Sequence, residues 1–457
     1  MKSLSLLFVS HSHKLEGGAE FSLLATVIEA KKRGNKCLVI LPKEGSFSKK
    51  LSEIDINHKV ENYTWSAMSS YDSDAHLNLG ISHFNADSII KAYHTIQDFN
   101  PDIVIINTIM PPWYMYAAKS LDIPTIMMIR ESFDERNSTR LLPTALEYLD
   151  NINHSASYIL YNSTYTQNMY KDYISKPKYS VYYPVVNGIN KSILDSAIDK
   201  VDSRVSIITP GSIVEHKNQL DLLKAIDILQ RRGLKDISVT LMGHADAKGY
   251  IKTLQDFIKS NNLADNVKIL DFSDNPFNEI IKNQIVVVPS KSEAFGRVTL
   301  EGQLAGRLVI GCDSGGTKEL IAHRDTGLLY NPDKVEDLAD SIEWAIRNPE
   351  KAIFIAKNGQ INAKEKFLTE KAYDSFFSAL QTTLKSRKKD NKRSPYFDPV
   401  YALIQRNLHV NSILEDYARS LEAASRQLLE LTSKKPSKLT QFKAFVKKIL
   451  KNKPGLS

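Results

Sequence analysis

The sequence predicts an α/β protein made of two doubly wound parallel-sheet domains followed by a basic helical tail. Three observations lead there. Short apolar runs alternate with segments of helical periodicity, the pattern of a parallel sheet covered on both faces. The alternation begins a second time after residue 188. A chain of 457 residues exceeds the ~250 to 300 at which a single hydrophobic core stops growing, and 42% apolar content is enough to fill two cores.

Taken in order, Leu4 to Val9 is an apolar run that reads as the first strand. Gly17 and Gly18 form a loop, Ala19 to Arg33 spaces its apolar residues as a helix does, and Gly34 stops it before a strand from Cys37 to Leu41. That is a βαβ unit. Ile103 to Ile106, Thr125 to Ile129 and Tyr158 to Tyr161 extend the sheet, so residues 1–188 form the first domain. Within it, ENYTWSAMSSYDSDAHLNLG at residues 61–80 has no periodicity and reads as a long loop or insertion. The second domain, residues 189–385, has strands at Val205 to Thr209, Ser238 to Met242, Val267 to Leu270, Ile285 to Val288 and Leu308 to Gly311. Helices at Gln219 to Arg232 and Tyr250 to Ser260 separate the first three, and the last helix of this region is free to return to the first domain.

Composition excludes several classes. Only Cys37 and Cys312 occur, both beside apolar strands, which leaves no disulfide framework and no thiolate metal cluster. The run at the N-terminus is about six residues, shorter than the 7 to 15 of a signal h-region, and no run approaches the 18 apolar residues of a membrane span. These features predict a cytoplasmic protein. From Ser386 to Ser457 there are sixteen Lys and Arg against six Asp and Glu, which leaves 44 against 46 before it. The basic excess is therefore confined to the tail, and a basic catalytic surface for nucleic acid is not indicated. In the tail, Val410, Leu414, Tyr417, Leu421, Ala424, Leu428 and Leu431 keep alternating spacings of four and three. That spacing permits either a coiled coil through residues 410–431, by self-association or with a partner helix, or a single amphipathic helix packed on the enzyme. Beyond it, Leu439, Phe442, Phe445, Val446, Ile449 and Leu450 make an apolar face, with Lys443, Lys447, Lys448, Lys451 and Lys453 elsewhere, a pattern suited to an anionic membrane surface.

The segment most informative about function is PSKSEAFGRVTLEGQLAGRLVIGCDSGGTKE, residues 289–319. It puts Glu293 and Glu301 on either side of a strand-to-helix junction. Were the stretch wholly helical they would stand ~12 Å apart, wider than the ~5 to 9.5 Å that glycoside hydrolysis asks of a carboxylate pair. Two parts of one ligand suit them better than one shared bond. After the next strand, Gly315, Gly316, Thr317, Lys318 and Glu319 would open a helix with free backbone N–H groups, which favours phosphate. Gly211 to Asn218 follows another strand, and Lys217 there is placed to set an ammonium against a diphosphate. No G-x-G-x-x-G is present, which argues against a dinucleotide-binding oxidoreductase.

Glutamate, seven residues, glutamate, with Phe295 and Gly296 between them and GG-x-x-E after the following strand, resembles the donor-site signature of glycosyltransferase family 4. The resemblance implies the GT-B fold, two Rossmann-like domains facing a cleft, and retaining transfer of a sugar from a nucleotide-diphosphate donor to a glycan or lipid-linked acceptor. On that resemblance Glu293 faces the sugar, Glu301 holds the ribose, and Phe295, Gly296, Gly316 and Thr317 lie in loops whose amides meet the diphosphate. Glu319 either helps to position the loop and sugar or caps the helix that follows it. Gly211 and Lys217 match the family's G-R-x-x-x-x-K segment, with Ser212 where arginine is commonest; phosphate charge then rests on Lys217, on amides around Thr317 and on Arg297 or, if Arg297 is a surface residue, without it. Gly17, Gly18, Ala19 and Glu20 resemble the GG-x-E loop of the first domain. Where the family often has a histidine, after Thr125 to Ile129, this chain has Arg130 and Glu131; Arg130 takes that catalytic place, or Glu131 does, or neither.

No metal or other cofactor is implied. Asp72-Ser73-Asp74 lies in the aperiodic stretch and reads as a solvated loop, and the pair His11 and His13 lacks a third ligand. Asn162-Ser163 and Asn187-Gly188 also match family positions but read mainly as turn chemistry. The aperiodic stretch acquires an acceptor-side role on this reading. A peripheral enzyme at the inner face of the membrane, building surface polysaccharide or glycolipid, follows from the resemblance and the tail together. A noncatalytic GT-B partner subunit and a nonhydrolysing sugar-nucleotide epimerase are the alternatives.

Overall fold

The computed structural model describes residues 3–387 apart from 64, 66, 70–74, 133–138, 142–144, 176, 187–188, 190–193, 196–203, 246–248, 272 and 274, together with 419–424 and 426 of the tail. The first domain carries β1 (Ser5–Val9), β2 (Lys36–Leu41), β3 (His58–Val60), β4 (Ala67–Ser69), β5 (Ile103–Ile106), β6 (Thr125–Ile129), β7 (Thr139–Leu141), β8 (Tyr158–Tyr161) and β9 (Lys178–Val181). The second carries β10 (Val205–Pro210), β11 (Ile237–Met242), β12 (Val267–Leu270), β13 (Ile285–Val288), β14 (Leu308–Cys312) and β15 (Leu328–Tyr330).

Seven strands form one parallel sheet in the order β3-β2-β1-β5-β6-β8-β9, and six form another in the order β12-β11-β10-β13-β14-β15. Both sheets are thus doubly wound, starting in the middle and growing outward in both directions. The order reverses beside β1 and β10, so crevices open at the carboxyl ends of β1 and β5 in one sheet and of β10 and β13 in the other. Central strands such as β5, β8 and β13 are buried at every position, which is why they read as unbroken apolar runs.

All ten strands expected from the sequence are present with bounds shifted by at most one residue. The additional sheet members β3, β9 and β15 are edge strands. β3 and β9 have no fully buried position, so their sequences carry no apolar run to find.

The stretch read as an aperiodic loop is a correction. Ala67–Ser69 pairs antiparallel with Thr139–Leu141, and a helix runs Ala75–Phe99. Its later turns pack on helix Trp113–Ser120 and bury Ile89, Ile90, Ala92 and Ile96. Asn, Ser and Asp between residues 82 and 88 hid that spacing. Asp72-Ser73-Asp74 and Asn187-Gly188 lie outside the described residues, as do most of residues 410–431 and the lysine-flanked face at 439–450. Of the tail, Arg419 to Ala424 is helical and Leu421 is exposed.

The chain crosses between domains more than once. Helix Pro349–Phe367 packs on the second domain, through helix Arg297–Leu304 and β14. Helix Asp374–Arg387 then lies on β6, β8 and β9 of the first sheet. There Phe376 is wholly buried, 6.3 Å from the ring of Phe8 and 5.6 Å from Tyr182. Cys37 and Cys312 are buried free thiols, and burial pushes each up to about 12, which makes them inert. No helix among the described residues is long and apolar enough to cross a membrane.

Helix Arg297–Leu304 meets its sheet so closely that a Cβ at Gly302 would lie 2.9 Å from Val309 Cγ2 and 3.1 Å from Val286 Cβ. Gly302→Ala is therefore expected to destabilise by ~1 to 3 kcal/mol through overpacking, despite the ~1 kcal/mol that alanine gains in a helix. Thermal unfolding should fall by ~2 to 4 °C for each kcal/mol. An unchanged or higher midpoint would mean that the contact is looser than described.

Candidate functional site

The loop after β10 is shaped by two left-handed residues. Gly211 has φ +124°, and after a single 3₁₀ turn at Glu215–Lys217, Asn218 has φ +59° and turns the chain into helix Gln219–Arg231. Asn218 Nδ2 donates to Asp221 Oδ2 at 2.6 Å and to the Pro289 carbonyl at 3.3 Å, and Ser290 Oγ donates to the His216 carbonyl at 3.3 Å. The loops after β10 and β13 are thus stitched together at the switch point. That brings Lys217 Nζ onto Glu293 Oε1 in a direct ion pair. Burial alone would raise the Glu293 carboxyl, but the Lys217 ammonium outweighs it and holds the group below its ordinary value.

The loop after β14 leans on the same carboxylate's backbone. Gly316 N–H donates to the Glu293 carbonyl at 2.7 Å. A Cβ at Gly315, where φ is +60°, would lie 2.6 Å from that carbonyl oxygen, and one at Gly316 would lie 2.5 Å from the Phe295 carbonyl. Only glycine allows this approach. Gly296, with φ +97°, opens helix Arg297–Leu304, and Thr299 Oγ1 reaches Thr317 Oγ1 at 3.5 Å. One turn along that helix, Arg297 Nε donates to Glu301 Oε1 at 2.6 Å, and Glu301 is buried. The two glutamates of the signature are therefore each matched to one cation, Glu293 to Lys217 and Glu301 to Arg297.

Arg297 is not a surface residue of one domain. Its Nη1 lies 3.5 Å from the Gly18 carbonyl, and its guanidinium stacks 4.7 Å from the Phe21 ring centroid, so it touches the glycine loop of the first domain. That loop has its own anchor. Glu20, three residues beyond Gly17, turns its carboxylate back beneath the glycine, so that a Cβ at Gly17 would meet Glu20 Oε2 at 2.4 Å. His11 Nε2 lies 3.1 Å from Glu20 Oε1; burial would raise the Glu20 carboxyl, and His11 brings it below its ordinary value. His13 stands apart, its carbonyl accepting the Phe47 N–H at 3.1 Å.

Arg130 is buried, and its Nε donates to Asn107 Oδ1 at 2.9 Å and to the Asn107 carbonyl at 3.2 Å. Burial lowers its guanidinium from the ordinary range. Glu131, which accepts the N–H groups of Arg130 and Ile109, is raised by burial. Arg130 is thus tied to the floor of the first domain's crevice, where Asn107 also donates to the Ala19 carbonyl at 3.0 Å. Asn107, which follows β5 at the switch point, carried no motif in the sequence; its place after an apolar strand was the only available signal.

Glu319 neither caps its own helix nor turns toward the loops of Glu293 and Glu301. Its Oε2 accepts the Thr164 N–H at 2.9 Å and the Tyr183 hydroxyl at 3.2 Å, and its Oε1 accepts the Tyr165 N–H, so it spans the two domains. Asn162 and Ser163 do more than form a turn: Asn162 Nδ2 holds the Arg130 carbonyl at 3.1 Å, and Ser163 Oγ donates to the Ala294 carbonyl.

Two family models match, Glycosyltransferase Family 4 over residues 16–188 and Glycosyl transferases group 1 over residues 191–361. The chain belongs to glycosyltransferase family 4. Among curated relatives of the family, an uncharacterized glycosyltransferase of Methanocaldococcus jannaschii is 31% identical over 191 residues, 41% of this chain and 50% of its own. A D-inositol 3-phosphate glycosyltransferase of Gordonia bronchialis is 31% identical over 104 residues, 23% of this chain and 22% of its own. The chain thus spans half or less of the length of these two curated relatives. Among solved structures, Anabaena HepE in complex with UDP and glucose superposes with a TM-score of 0.67 at 21% identity, covering 83% of this chain and all of that one. The GT-B fold of the family is therefore the fold of this member.

The Lys217 and Glu293 pair makes a prediction about pH. Glu293 is depressed, so its contribution to stability is present above the ordinary carboxylate range and is lost as pH falls through its lowered value. In Lys217→Met burial is opposed only by the weaker influences of Ser290 and His216, so the carboxyl rises and ionising it as pH increases costs stability. The difference in unfolding temperature between wild type and Lys217→Met should therefore widen from pH 4 to pH 7. A constant difference across that range would show that the two side chains do not interact.

Proposed function

We propose that the chain transfers a sugar from a nucleoside-diphosphate donor to a glycan or lipid-linked acceptor, with retention at the anomeric carbon as the family resemblance implies. The observation that carries this reading is the pairing of Glu293 with Lys217 and of Glu301 with Arg297 at the switch-point crevice of the second domain. A nucleotide sugar brings hydroxyls for the carboxylates and a diphosphate for the cations. On binding, Lys217 and Arg297 turn from carboxylate to phosphate, and Glu293 and Glu301 are released to accept hydrogen bonds from sugar and ribose. Ionic contacts are exchanged rather than created, so neither charge is left buried without a partner.

The work in such a reaction is positioning and stabilisation of the departing diphosphate. Arg297 replaces the guanidinium that Ser212 lacks, and its fork suits phosphate better than an ammonium would. The amides around Gly316 and Thr317 add partial positive charge. Because the HepE structures hold UDP, uridine nucleotides are the first donors to test. A thermal-shift panel of UDP, GDP, ADP and CMP with their common sugars is the experiment. Ligand at ~100 times its dissociation constant adds roughly 2.7 kcal/mol, and Glu301→Ala should abolish the shift. If no nucleotide stabilises the wild type, the donor-site reading is wrong; product analysis with the stabilising donor then separates transfer from epimerisation and from a noncatalytic partner subunit.

We further propose that the acceptor is assembled at the inner face of a membrane in surface polysaccharide or glycolipid synthesis, and that the basic tail holds the enzyme there. Its support is compositional: the net positive charge of residues 386–457 and the apolar face at residues 439–450. Each lysine near an anionic surface is worth ~1 kcal/mol. Replacing Lys443, Lys447 and Lys448 with alanine should thus weaken sedimentation with phosphatidylglycerol vesicles by roughly two orders of magnitude. Equal sedimentation of wild type and triple variant would remove the tail from membrane binding.

A further inference from the structure

We infer that Glu319 is a positioning residue that latches the second domain onto the first and so sets where the Glu293 loop stands against the opposite wall of the cleft. The juxtaposition is specific. Thr164 and Tyr165 are the first two residues of helix Thr164–Tyr170 in the first domain, and their N–H groups have no partner within that helix. Glu319, in the second domain, supplies one carboxylate oxygen to each: Oε2 takes Thr164 N–H at 2.9 Å and Oε1 takes Tyr165 N–H. An anion there meets the positive end of the helix, and both bonds are charge-assisted. Tyr183 OH donates to the same Oε2 at 3.2 Å.

Further contacts between the domains surround this point. Ser163, the N-cap whose Oγ accepts Thr166 N–H at 3.0 Å, also donates that hydroxyl to the Ala294 carbonyl. Ser132 Oγ donates to the Ser292 carbonyl at 3.0 Å. The residues on both sides of Glu293 are therefore held from the first domain. Tyr183 lies 5.8 Å from Phe295 and 5.9 Å from Phe367, ring to ring, closing the apolar side of the contact. Glu319 also stands three residues beyond Gly316, whose N–H holds the Glu293 carbonyl at 2.7 Å. One short loop thus grips Glu293 from its own domain and the opposing helix from its end. Five polar bonds between the domains around one point make a latch with two states, since a carboxylate leaving the helix end releases both N–H groups at once.

The inference rests on the donor-site reading only for the purpose of the latch, and its test is independent of it. Spin labels are placed at Lys178→Cys on the first domain and Lys235→Cys on the second, both exposed, while the buried native thiols stay unlabelled. Double electron–electron resonance is recorded for the labelled protein with native Glu319 and with Glu319→Ala, Glu319→Gln and Ser163→Ala, and UDP binding is followed by calorimetry. The expected result is one narrow distance with native Glu319 and a second, longer population in Glu319→Ala. Glu319→Gln keeps acceptor capacity for one amide and should fall between them, and Ser163→Ala should show the longer population more weakly. An unchanged distance distribution in Glu319→Ala overturns the latch, whatever UDP does. A loss of UDP binding with that distribution unchanged would assign Glu319 to the donor pocket instead. Failure of UDP to bind the protein with native Glu319 bears on the donor reading alone and leaves the distance measurement to decide the latch.

Discussion

The hydrogen bond from Gly316 N–H to the Glu293 carbonyl is the contact on which the rest of the site depends. It joins the loop after β13 to the loop after β14, and both orient their side chains from it. A residue with a Cβ at Gly315 or Gly316 would drive the loops apart, since the space is filled by the backbone of Glu293 and Phe295. Backbone cannot yield as a flexible side chain does. With the loops held, Glu293 points to Lys217, Gly296 starts the helix that carries Arg297 and Glu301, and Glu319 emerges toward the first domain. The glycine pair is a packing device first, and any anion-binding property of its amides follows from the shape that packing imposes.

Charge is arranged in pairs for a related reason. Lysine, arginine and glutamate side chains converge on the crevice of the second domain. Placed separately in a half-buried crevice, each would carry a large desolvation cost. Lys217 with Glu293 and Arg297 with Glu301 offset that cost within the second domain, and His11 Nε2 meets Glu20 Oε1 at 3.1 Å beneath the glycine loop of the first. Arg130 is held without a paired carboxylate, its Nε donating to the side chain and carbonyl of Asn107 and its Nη2 to Met128 Sδ at 3.3 Å, and burial lowers it. The substitution of serine for arginine at position 212 is accommodated in this scheme. Ser212 is exposed, and its carbonyl serves only to receive Gln219 Nε2 at 2.9 Å.

Much of the fold was legible because parallel sheets advertise themselves. Strands buried on both faces have no choice but to be apolar throughout, and β1, β5, β8, β13 and β14 all read so. Edge strands such as β9 are paired on one side only, and their sequences show no such constraint. The helix at Ala75–Phe99 was hidden for a different reason: Asn85, Asp87 and Ser88 resemble turn chemistry, and packing against Trp113–Ser120 overrides that preference. In the second domain the motifs lie in loops that the structure brings together, because glycine spacing records backbone approach. They did not reveal partners. That Arg297 would bind Glu301 is visible as an i, i+4 pair, but that it also reaches Gly18 requires the first domain, and sequence spacing carries no information across 279 positions.

Glu319 shows where this kind of reading stops. Within its own segment it follows two glycines and a threonine, so both of its sequence-based roles concern the helix and loop beside it. The structure gives its carboxylate to Thr164 and Tyr165, more than 150 residues earlier. Neither partner could signal the contact, because the groups involved are backbone N–H, which every residue but proline possesses. Contacts between a side chain and the free end of a distant helix leave no trace in either sequence segment. In this two-domain protein such contacts join a loop of the second domain to a helix end of the first. The close approach of the glycine loops is written in local motifs of one domain; the relation between the two domains is written in bonds of this second kind.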